Sequence, residues 1–539
     1  MRDRAAGHGW RHRALLIGLV LGALVVIGRA VQLQVLQGER WEARALDQQR
    51  RRVELPAPRG TIFDRNGVPL AMSREVSRVA VAPREVRDAE EVARRLREVL
   101  GLSSAEVARA LDPSRRWVVL PGRYDAAARQ RLEGIRGVYF ERTVERVYPH
   151  GALAREILGG VSAEGVALGG IEQAYDSLLA GRPGIAVSRR NARGEVIPGS
   201  LMVAAEPVAG SDVYLTLDVH LQEIADEVLR EAMEETGAEG GDVIFTDPRT
   251  GEVLAAVSRR SEGGNHWRGV TEPYEPGSTL KPFFVAMLLA EGRATLEDSV
   301  YAEEGRWQSE GRTLTDSDKH GWLTVRDALR VSSNIAMAKL SERLEPREQY
   351  GYLRDFGFGV PTGVPYPSEA AGRLRRPSEW SRYSRASLSI GYEIAVTPLQ
   401  MVMAYGAVAN GGVLLEPGLV REVRTRDGER RNGSVVRPIR RVIPEEVARA
   451  VGATLVEVVE TGTGREAGLG AFRVAGKTGT ARRSVGGRYV PGSYTASFAG
   501  YFPAEDPQLA FLVKLDRPQG AYYGGLAAAP VTRATLAAA

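Results

Sequence analysis

Read as a succession of apolar and polar positions, the chain opens on ALLIGLVLGALVVIG, residues 14–28, which carries no charge. AVQLQVL extends the apolar run past Arg29 to residue 36, about the length that crosses a bilayer as a helix. The pattern then changes repeatedly. GERWEARALDQQRRRVEL predicts a charged helix that ends at Pro56 and Pro58. RGTIFDRNGVPLA predicts two strands about an Asn66-Gly67 turn, the signal for a hairpin. Residues 88–135 hold helical patterns, EEVARRLREVLGL and AARQRLEGI, without recognisable chemistry. GGIEQAYDSLLAGRPG, residues 169–184, predicts a helix closed by glycines, and SDVYLTLDVHLQEIADEVLREAMEE, residues 211–235, a strand feeding a long helix. GDVIFTDPRTGEVLAAVS, residues 241–258, gives two β-rich runs about a turn. STLKPFFVAMLLAEG, residues 278–292, is an apolar helix with Pro282 in its first turn and Gly292 to end it. Two more apolar strands follow, SYTASFAGYFP and LAFLVKLDR, and then an alanine-rich tail. Strands at both ends with helices between predict an antiparallel sheet covered by helices, an α+β fold.

Length and composition sharpen this picture. At 539 residues the chain needs two or more domains. A net charge of +5, with arginine runs interleaved with acidic residues, implies mixed solvated faces and no nucleic-acid surface. The absence of cysteine excludes disulfides, thiolate zinc sites and thiol catalysis. Arg2, Arg4, Arg11 and Arg13 precede the apolar span, which places the short N-terminus in the cytoplasm by the positive-inside rule. No small-residue cleavage site precedes a polar start, so a retained anchor is expected in preference to a cleaved signal peptide.

The candidate chemistry begins with EPGSTLKP. Only five of the 72 basic residues are lysines, and one of them, Lys281, stands three residues after Ser278. On a helix that spacing puts both on one face, the arrangement of a nucleophile beside its base. The FFVAMLL flank would desolvate the amine and favour its neutral form. A capping serine with a solvated lysine is the bland alternative. RVSSNIAMAKL places Ser332 and Asn334 at a junction between two helical patterns, where short polar residues commonly cap. FRVAGKTGTARR holds a second scarce lysine, Lys477, in a strand of small residues followed by Thr478, Gly479 and Thr480. Gly479 leaves room for a close backbone approach, and an edge strand there could pair with an extended peptide. A P-loop is excluded, because its first glycine would fall at Ala471. The six histidines make no metal-ligand spacing, and no G-x-S-x-G elbow occurs, so a metal enzyme and a Ser-His-Asp hydrolase are not expected.

S-x-x-K, S-x-N and K-T-G in this order resemble the penicillin-binding protein and serine β-lactamase superfamily. RGTIFDRNGVPLA, RVYPHGALAREILG, GGIEQAYDSLLAG, LTLDVHLQ, DPRTGEVLA, VTPLQ, AGKTGTA and YYGGLAAAP extend the resemblance to the class B penicillin-binding proteins over most of the chain. GGIEQAY and RVAGKTGTA are slightly closer to the division-type members than to the elongation-type ones. The resemblance implies a cytoplasmic tail at 1–13, a transmembrane helix at 14–36, an elongated extracytoplasmic pedestal at 37–215 and a transpeptidase domain at 216–539. The pedestal motif would be Arg59, Gly60, Asp64, Arg65 and Gly67, with a structural role. The implied activity is a peptidoglycan D,D-transpeptidase without cofactor or metal. Ser278 attacks the D-alanyl-D-alanine carbonyl of a stem peptide, Lys281 takes the serine proton, and Ser332 and Asn334 relay it and position the substrate. Lys477 supplies positive potential, Thr478 and Thr480 bind the carboxylate, and the backbone N–H groups of Ser278 and Thr480 form an oxyanion hole. β-Lactams would acylate the same serine. A membrane-embedded glycosyltransferase of the SEDS type and other division or elongation proteins are the implied partners, and a fused glycosyltransferase is not expected. One departure is GYE, where Glu393 stands at a position that is glycine in many relatives; a harmless loop substitution is the simplest reading. Two other classes stay open: a D,D-carboxypeptidase or β-lactamase using water as acceptor, and a penicillin sensor or scaffold.

Overall fold

A computed structural model of the chain describes residues 9–37, 39, 41, 50–189, 202–261, 264, 266–309, 311–431, 435–486 and 488–539. The apolar run is helix α1, Gly9–Val31, continued by a π-helical turn over Gln32–Leu36. The span Trp10–Leu36 is long and apolar enough to cross a membrane, and none of its most apolar stretch is buried. The charged helix expected next falls partly at 42–49, outside the described residues. Where the chain is next described, Arg50–Leu55, it is instead a strand paired antiparallel with Gly184–Arg189. Cross-strand pairing, Val53 opposite Ala186, overrides the helical preference of the Arg and Glu residues around it.

The chain forms two compact units whose segments interleave. One holds the residues up to Pro58 with Glu75–Val144 and Gly181–Val208, and the other holds Arg59–Arg74, Glu145–Ala180 and Ala209–Ala539. In the first, helices Ala89–Leu100 and Ala126–Leu132 are N-capped by Asp88 and Asp125 and close on a core that includes Val79, Val81, Leu96 and Leu132.

The second unit carries the candidate chemistry. Its elements in chain order are β1 (Ile62–Phe63), β2 (Pro69–Val81, of which Pro69–Arg74 belong to this unit), β3 (Asp212–Leu215), α2 (Val219–Thr236), β4 (Gly240–Thr246) and β5 (Val253–Arg260). Then come α3 (Lys281–Ala290), α4 (Val325–Arg330), α5 (Asn334–Ser341), α6 (Pro398–Ala409), β6 (Val420–Arg424), α7 (Glu445–Glu460), β7 (Ala475–Val485), β8 (Arg488–Phe502), β9 (Leu509–Asp516) and α8 (Gly524–Ala538). Five strands make an antiparallel sheet in the order β5-β4-β9-β8-β7, so β7 is an edge. Residues alternate across it. Val243, Phe245, Val513 and Leu515 pack in one core with α2 and α8, whereas Ile244, Leu512 and Ala499 pack in another with α3 and α6. The alanine-rich end expected as a tail is therefore α8, held against the sheet by Ala527, Ala528 and Leu536. GGIEQAYDSLLAG is two short helices, Gly170–Ala174 and Asp176–Leu179, where one was expected.

The residues of the pedestal motif pack inside this same unit. Arg59 donates to Glu172 at 2.6 Å and Asp176 at 2.7 Å, and Arg146 donates to the other Glu172 oxygen at 2.6 Å. A Cβ on Gly60 would sit 1.9 Å from Ser211 O. Asp64 accepts from the Asn66 and Val68 amides at 2.8 and 2.7 Å and from Val219 N at 3.3 Å, joining the β1–β2 turn to the start of α2. Gly67 takes the left-handed conformation of that turn, and Arg65 lies 3.4 Å from Glu252.

Candidate active site

Ser278 lies on a 3₁₀ turn, Gly277–Leu280, that runs directly into α3. Three contacts fix the turn. Gly277 N donates to Gly391 O at 3.1 Å, Thr279 Oγ1 to Pro276 O at 2.8 Å, and the buried Tyr405 hydroxyl to Thr279 O at 2.8 Å. Gly391 is obligatory here, since a Cβ would lie 2.0 Å from Gly277 O. Behind the turn every residue from Lys281 to Leu288 is buried, with Phe283 packed on Phe356, Phe358 and Tyr405. Each large apolar side chain buried this way contributes about 1.5–3 kcal/mol, which offsets the cost of burying the amine among them.

That amine belongs to Lys281, which is fully buried. Its Nζ donates to Ser332 O at 2.6 Å, to Asn334 Oδ1 at 2.8 Å and to Ser332 Oγ at 3.2 Å. None of these three bonds goes to Ser278, although the two residues occupy successive turns. Burial pulls the Lys281 pKa down to about 7, opposed by the negative charge of Asp316.

Lys477 approaches the same hydroxyl from the sheet. Its Nζ lies 2.9 Å from Ser332 Oγ, 3.1 Å from Thr478 O and 3.2 Å from Thr478 Oγ1. Burial, reinforced by repulsion from Lys281, pulls it well below the ordinary lysine range. Ser332 thus bridges two buried amines. It sits at φ +64, a left-handed backbone between α4 and α5 that costs an L-residue about 1–2 kcal/mol and aims Oγ between the lysines.

The residues after Lys477 face different partners. Thr478 Oγ1 lies 2.7 Å from Thr463 Oγ1. Thr480 Oγ1 accepts from Gly524 N at 2.9 Å, at the start of α8, which leaves its own proton to donate outward. A Cβ on Gly479 would meet Ser497 Oγ at 2.4 Å, Thr279 Cγ2 at 2.8 Å and Pro276 O at 3.0 Å. The space that this glycine opens is thus filled by the Ser278 turn itself. Glu393 has φ +63, the conformation glycine adopts freely, and is held there by Arg375 and by Ser384 Oγ at 2.7 Å. This backbone demand explains a glycine at the position, and the ion pair stabilises the glutamate in its place.

Sequence reasoning missed Asp316. Its Oδ1 accepts from Asn334 N at 2.5 Å and Ile335 N at 3.1 Å, and its Oδ2 from Ser333 Oγ at 2.5 Å. The carboxylate caps α5 from a separate segment and orients the whole Ser332–Asn334 corner. Thr463 and Tyr405 were missed for the same reason, because their contacts are long-range and carry no local signature.

A hydroxyl at a helix start, beside a chain of two buried amines joined by a second hydroxyl, is the arrangement that serine acyl transfer without histidine calls for. Comparison with known proteins agrees. Residues 241–537 match the family model described as the penicillin binding protein transpeptidase domain, and residues 54–215 match the penicillin-binding protein dimerisation domain. The chain belongs to the class B penicillin-binding proteins. It is 33% identical to a probable peptidoglycan D,D-transpeptidase, PbpC, of Pseudomonas aeruginosa, over 95% of this chain and 91% of that one. It is 29% identical to the peptidoglycan D,D-transpeptidase FtsI of Escherichia coli, over 98% and 91%. The crystal structure of penicillin binding protein 3 from Mycobacterium tuberculosis complexed with aztreonam superposes with a TM-score of 0.71 at 28% identity, over 90% of this chain and 96% of that one.

Proposed function

We propose that the chain is a membrane-anchored serine D,D-transpeptidase that cross-links peptidoglycan stem peptides and is acylated by β-lactams. The single observation that carries the residue assignments is the continuous hydrogen-bonded path Lys281–Ser332–Lys477 beside the Ser278 turn. Ser278 Oγ attacks the carbonyl between the two terminal D-alanines. Its proton passes to neutral Lys281 and, through Ser332 Oγ, to the departing amine. The Oγ–C bond forms, the C–N bond breaks, and D-alanine leaves. An amine of a neighbouring stem peptide then attacks the ester, gives its proton back along the same path, and frees Ser278. Asn334 positions the substrate amide, while the N–H groups of Ser278 and Thr480 hold the oxyanion. The substrate runs as an added strand along the β7 edge, with its terminal carboxylate at Lys477, Thr478 and Thr480. In the empty site Lys477 is pushed toward its neutral form. The arriving carboxylate favours the ammonium, so substrate charge restores the proton that anchors it.

The N-terminus faces the cytoplasm and the catalytic unit lies outside the cytoplasmic membrane, a reading supported by the arginines before the span. A septal role with a SEDS-type glycosyltransferase as partner is what the resemblance of GGIEQAY and RVAGKTGTA to the division-type members implies. Full-length chain supplied with nascent, uncross-linked peptidoglycan should yield stem-peptide dimers that disappear in Ser278→Ala. Release of D-alanine without dimers would make it a carboxypeptidase instead.

A further inference from the structure

A cavity of about 600 Å³ beside the reactive turn takes no part in the steps above. Its wall includes Tyr274 and Glu275 just before Ser278, Arg482 just after Thr480, Arg373 and Glu393. Two buried polar atoms of this wall have no hydrogen-bond partner among the described residues: the hydroxyl of Tyr274, a residue otherwise only partly buried, and Oε2 of Glu275. Glu275 uses only its other oxygen, accepting from Glu393 N at 3.0 Å and Tyr489 Oη at 3.3 Å. A buried polar atom left unpaired carries a desolvation cost that a ligand group would relieve, and a carboxylate turns readily about its last bond to meet one. The cations of the rim divide into two kinds. Arg375 is tied to Glu393 and Arg483 lies 3.9 Å from Glu239, whereas Arg373 and Arg482 form no salt bridge among the described residues. The cavity therefore offers an unsatisfied carboxylate oxygen and a phenol beside two uncommitted guanidinium groups. The complement is a ligand that ends in both an ammonium and a carboxylate.

The place in the fold says which part of the substrate this is. Arg482 follows Thr480 by two positions on the edge strand. A donor peptide paired with that edge, its last residue at Thr480, advances about 3.3 Å per residue and brings its third residue from the end alongside Arg482, about 7 Å away.

We infer, on the basis of the transpeptidase reading, that this cavity is a specificity subsite for the third residue of the donor stem peptide. It takes a side chain ending in an amino-acid head, as in a diaminopimelate-type residue, in preference to one ending in an amine alone, as in lysine. Glu275 and Tyr274 receive the ammonium, and Arg373 and Arg482 the carboxylate.

The test uses full-length chain in detergent micelles and follows covalent labelling of Ser278 by a fluorescent penicillin. Acyl tripeptides X-D-Ala-D-Ala compete, with X as meso-diaminopimelate, L-lysine or norleucine, and free diaminopimelic acid serves as a separate arm. The diaminopimelyl peptide should halve the labelling rate at a concentration at least tenfold lower than the lysyl peptide. In Arg373→Gln and in Glu275→Gln that ratio should fall toward one, whatever the labelling rate itself does. Equal concentrations for the two peptides, or protection by neither, would overturn the subsite. Competition by free diaminopimelic acid as strong as by its peptide would overturn it too, since the cavity would then be a free amino-acid site. Failure of the penicillin to label Ser278 at all would instead remove the transpeptidase reading beneath it.

Discussion

Lys281 reaches its low pKa by burial, with no carboxylate in hydrogen-bond contact among the described residues, and this has consequences that can be measured at single residues. As the proposed base it works only when neutral, so the rate of penicillin acylation should rise with pH through about 7 and level off above. Lys281→Ala should lower that rate by about 10²- to 10⁴-fold. Asp316 opposes the shift, so Asp316→Asn removes a charge that favours the ammonium, and the midpoint of the pH profile should move to lower pH. A purely structural cap would leave the midpoint where it is. The linked effect on stability has a definite sign. The folded pKa lies below the unfolded one, so between about pH 7 and pH 10 the unfolded chain binds the extra proton, and this group makes stability rise with pH in that window. S-x-x-K, S-x-N and K-T-G were legible as scarce residues in a fixed order. That Lys281 would bond to Ser332 and Asn334 was not, because those contacts span 51 and 53 residues of chain.

At the level of elements, the reactive turn is held between β7 and the Gly391 loop by backbone contacts with no spare volume. Gly479→Ala would drive its Cβ into Ser497 Oγ, Thr279 and Pro276 O. The expected cost is about 1–3 kcal/mol, seen as a lower Tm, together with slower acylation as the Ser278 turn is displaced. The hairpin of residues 62–71, the β4–β5 and β8–β9 pairs, and α2 and α3 were legible because alternation or helical periodicity ran through each without conflict. The strand at Arg50–Leu55 was not, because its charged residues favour a helix until a partner strand is present. Helix α8 was misjudged as a tail for a related reason, since alanine and threonine give no periodic signal until a sheet face selects which of them to bury. Glu172 ties Arg59 and Arg146 together within the catalytic unit. Glu172→Ala would leave the Arg146 guanidinium without its carboxylate and Arg59 with Asp176 alone, and should destabilise the unit by about 3–5 kcal/mol, measurable by chemical denaturation.

For the whole molecule, the decisive features are the apolar helix at one end and the acyl-transfer site in the second compact unit. The helix makes a testable statement about the intact chain: an alkaline carbonate wash should leave it in the membrane pellet, and release into the supernatant would contradict an anchor. The domain plan expected from sequence put residues 37–215 in a pedestal. Arg59–Arg74 and Glu145–Ala180 pack with the catalytic unit because Asp64 reaches α2 and Glu172 holds Arg59, ties between residues far apart in the chain that no local pattern records. The central claim is that Ser278, served by Lys281, is the acylated residue of an enzyme that excludes water from its ester. The most direct measurement incubates the full-length chain and Ser278→Ala with a fluorescent penicillin and follows the covalent label over time. A label that requires Ser278 and persists for many minutes is the predicted result. A label that is lost within seconds would make the protein a hydrolase, and none on a folded chain would contradict the catalytic account altogether.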